Sequence, residues 1–146
     1  MSPHIQLGNQ MIWTLRTTLL RYEDEWSADI EIDSTSTLEE LHFAIQKAVN
    51  FDNDHMYAFY IARNDRSRDR EFFDDDNGQS FSMTLNDMFP LEPKKSLFYL
   101  FDFGDEWVFK VTKTRKSPHA PLEGVVYPRV VGEVGTKPVQ YPGFDE

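Results

Sequence analysis

The run from Ser96 to Thr112, SLFYLFDFGDEWVFKVT, constrains this chain more than any other, because two apolar stretches dense in aromatic residues flank a turn at Gly104. Such a pattern reads as a β-hairpin. With Gly104 and Asp105 as the central pair of a two-residue loop, Phe103 faces Glu106, Asp102 faces Trp107, Leu100 faces Phe109 and Phe98 faces Val111. Alternation then gathers Phe98, Leu100, Asp102, Trp107, Phe109 and Val111 on a core face. The opposite face carries Leu97, Tyr99, Phe101, Phe103 and Val108 with Glu106 and Lys110. The first strand is apolar on both sides and is expected in the middle of its sheet. Asp102 is expected to accept hydrogen bonds from the turn amides or from the Trp107 indole N–H and so hold the hairpin in register.

A hairpin needs a body to cover it. The 146 residues fit one domain, and a domain of this size buries roughly 70% of the surface its unfolded chain exposes. There is no cysteine, which removes disulfides, thiolate metal sites and a cysteine nucleophile. No apolar run approaches the length of a membrane span and no charged-then-apolar leader opens the chain, so no membrane role and a cytoplasmic location are expected. The net charge of −10 repels a phosphate backbone and weighs against nucleic acid as a partner.

Taken in order, Met1 to Gln10 reads as a loose end, residues 11–114 as the body, and residues 115–146 as an arm. Met11 to Tyr22 is expected as a strand with Met11, Trp13, Leu15 and Leu19 inward. Trp26, Ala28, Ile30 and Ile32 alternate with polar residues, giving a half-buried second strand. Ser36 and Glu39 have capping-box spacing, and Leu38, Leu41, Ile45, Ala48 and Val49 recur at helical period, so the spacing predicts an amphipathic helix over Thr37 to Val49 ending at Asn50. His42 shares that stripe, where a partly buried, hydrogen-bonded core histidine is expected rather than a ligand. His55 to Ala62 reads as a second central strand.

The arginines from Arg63 to Arg70 alternate with aspartates, as a solvated loop does. The acidic run before Gly78 misses calcium-loop spacing, which would place Phe73 and Thr84 at the end ligands. Asn77 and Gly78 instead suit a type I′ turn between short strands at Glu71 to Phe73 and Ser80 to Met83. Thr84 to Phe89 is expected as one capped helical turn closed before Pro90. Beyond Thr114, recurrent Pro and Gly forbid a long helix, and Val125 to Val131 is too apolar for a disordered tail. An extended arm with a short edge strand near Val125 is expected, laid on its own body or on a neighbouring subunit. The fold class is therefore α+β: a mixed sheet of about five to seven strands with one main helix packed on it, in an order like an elaborated β-grasp.

Two blocks, Leu38 to Phe59 and Leu97 to Val111, resemble the signature blocks of the Ri-plasmid open-reading-frame-three-like family, some of whose members carry a TnpR-like label because they travel with transposons or plasmids. The matching residues are Ile12, Trp13, Arg16, Leu41, His42, Ile45, Gln46, His55, Phe59, Asp102, Phe103, Gly104, Asp105 and Trp107. Many members have further histidines where this chain has Tyr57 and Phe109. The resemblance implies a small α+β domain whose activity is not settled.

The sequence holds no serine nucleophile backed by an arginine cluster, as a resolvase needs. The Asp102-Phe103-Gly104 triplet lacks the upstream elements of a kinase. Two readings stand. In one, the protein is a non-catalytic binding or interaction module, free of cofactors and recognising a protein partner or itself, with Trp13, His42, His55, Asp102, Gly104, Asp105 and Trp107 as fold determinants. In the other, His42, His55, Asp102 and Asp105 converge on a divalent metal that activates water, as in a hydrolase. A nucleic-acid role through Arg63, Arg66, Arg68 and Arg70, or through the Lys110 to Lys116 run, ranks third.

Overall fold

The computed structural model describes residues 10–74, 76 and 78–141. Most of the loose N-terminus expected over Met1 to Gln10, and Asn77 of the expected type I′ turn, lie outside the described residues. Strands β1 (Ile12–Leu20) and β2 (Trp26–Asp33) are followed by helix α1 (Leu38–Val49) and strands β3 (Tyr57–Ala62) and β4 (Glu71–Asp74). Two one-turn helices, α2 (Gln79–Ser82) and α3 (Leu85–Met88), lead to β5 (Ser96–Phe101), β6 (Trp107–Lys113) and β7 (Arg129–Gly135). The strands form one seven-stranded sheet in the order β4-β3-β5-β6-β1-β2-β7.

Among the described residues every strand pairing is antiparallel. The sheet is thus not mixed, and the β-grasp order, which depends on a parallel pair, does not apply. Sequence neighbours pair as hairpins wherever a short turn allows it, and β3 and β5 meet across the two helical turns.

The alternating residues of β1 and β2 place Trp13, Leu15, Leu19, Trp26, Ala28, Ile30 and Ile32 on one face. Helix α1 lays Leu38, Leu41, Ile45 and Val49 into the same core, each side chain contributing about 1.5–3 kcal/mol by burial. Its N-terminus is a capping box one residue later than expected. Thr37 Oγ1 accepts from the Glu40 amide at 3.2 Å, and Glu40 Oε1 accepts from the Thr37 amide at 2.9 Å. Thr37 is the residue whose backbone is extended, as a cap requires, while Ser36 gives its carbonyl to the Leu85 amide at 2.9 Å. The helix ends at Asn50 in the left-handed conformation, φ 63°.

The central hairpin keeps its strands and changes its register. Phe101 faces Trp107, Tyr99 faces Phe109 and Leu97 faces Val111, one residue off the pairing expected from a loop centred on Gly104 and Asp105. Such a type I′ loop needs positive φ at both central residues. Here it is Asp102 and Glu106 that take positive φ, 64° and 54°, and Gly104 does not. The Glu106 amide closes residues 102–106 onto the Asp102 carbonyl at 2.6 Å.

Because side chains alternate, the slip turns β5 over. Leu97, Tyr99 and Phe101 join Phe109 and Val111 in the main core. Phe98 goes to the other face with Val108, Tyr60 and Ala62, where Leu20 and Leu100 flank them. The expectation that β5 is apolar on both sides and interior holds.

Two further expectations change. Gln79–Ser82 is a helical turn after Gly78 (φ 74°) rather than a strand. The arm's edge strand lies at Arg129–Gly135 on the outer side of β2, beyond Val125. A cis peptide joins Tyr127 and Pro128 just before it.

Candidate functional site

Helix α1 carries His42 into the core one position after Leu41, and its ring is 2% exposed. Nδ1 lies 2.5 Å from the Tyr99 hydroxyl on β5, and Nε2 lies 2.7 Å from Asn53 Oδ1 in the loop after the helix. Gln46, one helical turn on, donates Nε2–H to the same Tyr99 oxygen at 2.9 Å, and its Oε1 accepts from the Asn53 amide at 2.9 Å. One proton arrangement satisfies the whole set: Nε2–H of His42 donates to Asn53, and Tyr99 donates to Nδ1 while accepting from Gln46. Burial pushes the Tyr99 phenol well above its ordinary value, with the Gln46 hydrogen bond opposing, so Tyr99 stays a donor. Tyr57 stacks face to face on the His42 ring, with centroids 3.7 Å apart and planes at 6°.

The β5–β6 loop builds a second cluster. Asp102 Oδ1 accepts from the amides of Gly104 at 3.1 Å and Asp105 at 3.2 Å, which fulfils the turn-holding role. Its other oxygen faces His55 Nε2 at 3.4 Å. The Trp107 indole nitrogen takes no part; it is buried without a hydrogen-bond partner among the described residues, and its ring packs on Phe51 and Tyr22.

The arm completes this cluster by crossing its own body. The Tyr141 hydroxyl donates to Asp54 Oδ2 at 2.5 Å and lies 2.9 Å from His55 Nε2. Gln140 donates to Asp54 Oδ1 at 3.0 Å and accepts from the Asp52 amide at 2.8 Å. The bond from Tyr141 holds the Asp54 carboxyl below its usual range, and the same bond pushes Tyr141 up to about 12.

Of the four candidate ligands, the fold therefore brings together His55 and Asp102. His42 sits in a separate network, with the Phe101 ring near both histidines, 6.3 Å from His42 and 6.0 Å from His55. Asp105 is exposed and contributes its backbone amide. Among the described residues, no group of three or more His, Asp or Glu side chains is placed to hold a metal ion. Tyr57 and Phe109, where many relatives have histidine, belong to the aromatic core.

Trp13 is 8% exposed, meets Phe89 edge-on at 5.9 Å, and lies under the Lys113 ammonium at 4.1 Å. Asp54 and Tyr141 were missed by sequence reasoning. Asp54 is legible only as the neighbour of His55, and nothing local marks a tyrosine 87 residues further on.

The fold is shared with a protein of unknown function from Methanosarcina mazei Go1. Its crystal structure matches with a TM-score of 0.70 and 25% sequence identity, over 85% of this chain and 70% of that one. No curated protein sequence matches this chain. A family model described as plasmid pRiA4b ORF-3-like protein matches residues 11–141, spanning both polar clusters and β7. The chain belongs to that plasmid pRiA4b ORF-3-like family.

Proposed function

We propose that this protein is a non-catalytic interaction module whose polar signature residues serve the fold. The observation that supports this most is the engagement of both ring nitrogens of His42, by Tyr99 and Asn53, inside the core. A ligand or general base needs a lone pair directed at a substrate, and this imidazole spends both nitrogens on neighbours. Asp102 similarly spends one oxygen on two turn amides.

The interaction face is assigned to β7 and the arm. The sheet has two ends, and β4 is a short strand of four residues, whereas β7 runs for seven at the other end. Its charges turn back into the body: Arg129 Nε donates to Glu31 at 2.7 Å, and Glu133 accepts from the Trp26 indole at 2.7 Å. Val130, Val131 and Val134 are left exposed, and Val126 just upstream is 82% exposed. A long edge strand with apolar side chains and inward-spent charge accepts a further strand from a protein partner or from a second copy. Sedimentation equilibrium of the full chain with V131E and V134E tests the second-copy form. Self-association abolished by both changes supports it, and a monomer at every concentration leaves the partner as a different protein.

The alternative is a metal-dependent hydrolase. It is favoured only by the approach of Asp102 and Asp54 carboxylates to His55, at 3.4 and 3.8 Å. Thermal melts of metal-stripped protein with zinc, manganese or magnesium separate it from the module reading.

A further inference from the structure

A cleft of about 690 Å³ lies at the rim of the sheet, where β6 runs on past Val111, the last residue it pairs with β5. The notch is lined by Trp13, Phe89 and Leu91 and bordered by Lys95 and Lys113, with Lys110 reaching its rim from the other face of β6. Its size falls in the range of small-molecule sites, which combine an apolar body with a few polar groups. The charge is the telling feature. The chain carries 25 acidic residues against 15 basic ones, yet three lysines and no carboxylate line this cleft.

The lysines are available. Among the described residues, Lys95 approaches only the exposed Glu92, at 3.6 Å, and neither Lys110 nor Lys113 has a carboxylate partner. Lys113 instead lies over the Trp13 ring at 4.1 Å, a contact worth little in water at an exposed site but one that points its charge into the cleft. Clustering like charges costs energy unless an opposite charge joins them.

We propose that this cleft binds a small amphiphilic anion, with its apolar part on Trp13, Phe89 and Leu91 and its acidic headgroup between Lys95 and Lys113. The site is built from β1, β6 and the loop before β5, so it does not rest on the interaction face assigned to β7. Trp13 thereby gains a role besides core packing, as the floor of a binding site. The net negative surface elsewhere repels the same ligand and confines it to this spot.

The test is an NMR titration of the full chain at low ionic strength with octanoate, octyl phosphate and octanol as probes. Octanoate or octyl phosphate is expected to shift the Trp13 indole and the amides of Phe89 and Leu91 saturably, and whichever binds tighter identifies the headgroup. Octanol is expected to bind at least about tenfold more weakly. The double variant K95E/K113E, at one half-buried and one exposed position, should keep the parent's folded amide spectrum and bind the anion about a hundredfold more weakly, at about tenfold per reversal. R68E in the remote loop should change nothing. Octanol binding as tightly as the anions, shifts centred elsewhere, unchanged binding by the double variant, or no saturation by either anion at about 10 mM overturns the proposal.

Discussion

The hydroxyl of Tyr99 lies 2.5 Å from Nδ1 of His42, so that a strand in the middle of the sheet and the one long helix are joined by a bond between two buried polar side chains. Because Gln46 bonds the same oxygen, Y99F strands two buried groups at once. Removing one partner of a buried hydrogen bond costs about 1–3 kcal/mol. Urea unfolding of Y99F should show a loss in that range or above, and H42A a larger one as the ring's packing goes too. An unchanged midpoint for Y99F would mean that the network carries no stability.

Asp102 combines a left-handed backbone, φ 64°, with two bonds to the turn amides. Asparagine tolerates that backbone and keeps an accepting oxygen; alanine does neither. D102A should cost about 2–3 kcal/mol and D102N less than about 1 kcal/mol. Equal losses in paired melts would place the effect in the charge rather than in the turn.

The glycines divide sharply. A Cβ at Gly104 would meet Asp102 Oδ1 at 3.5 Å, an ordinary contact, whereas Gly135 sits at φ 85° with its Cβ position driven into the Glu25 carbonyl. G104A is expected to change stability by less than about 0.5 kcal/mol. G135A should cost about 1–3 kcal/mol and speed hydrogen exchange at Thr136, whose amide bonds Glu25. The reverse order would restore the type I′ turn at Gly104.

Glu31 ties β2 to the edge strand. The hydrogen bond from Arg129 holds its carboxyl below the ordinary 4.5, with burial opposing. A carboxyl with a depressed folded value adds stability that is fully present above its unfolded value and is lost as pH falls through the folded one. Melting temperature should therefore be insensitive to this group above pH 4.5 and fall below it. E31Q should melt lower at pH 7 and lose less on acidification. Asp33, Asp54 and Asp65 shift in the same direction, so E31Q flattens the acid slope without abolishing it.

What could be read in advance follows from how local each signal is. Ile30 and Ile32 alternate with charged neighbours, and Leu38, Leu41 and Ile45 recur at helical period, so β2 and α1 are written in short windows. The register of the central hairpin is not, because it depends on whether Gly104 or its neighbours take the left-handed turn. In this chain Asp102 and Glu106 do. The Asp102 turn bonds span two or three residues and were legible; the Tyr141 to Asp54 bond spans 87 and was not. His42 was legible as a core histidine by its place on the apolar stripe, whereas its partners Tyr99 and Asn53 follow only from the register and the loop path.

On the proposed reading His42, His55, Asp102 and Asp105 serve the fold rather than a metal. Thermal melts of metal-stripped protein with and without excess zinc, manganese or magnesium, run in parallel on H42A, H55A and D102N, test this most directly. A metal bound only by the native state at a hundred times its dissociation constant adds about 2.7 kcal/mol, a shift of several degrees for a domain of this size. If they serve the fold, none of the three metals produces such a shift, and H42A melts lower with or without them. A shift of several degrees that H55A and D102N abolish would contradict that reading and put a metal between those two side chains.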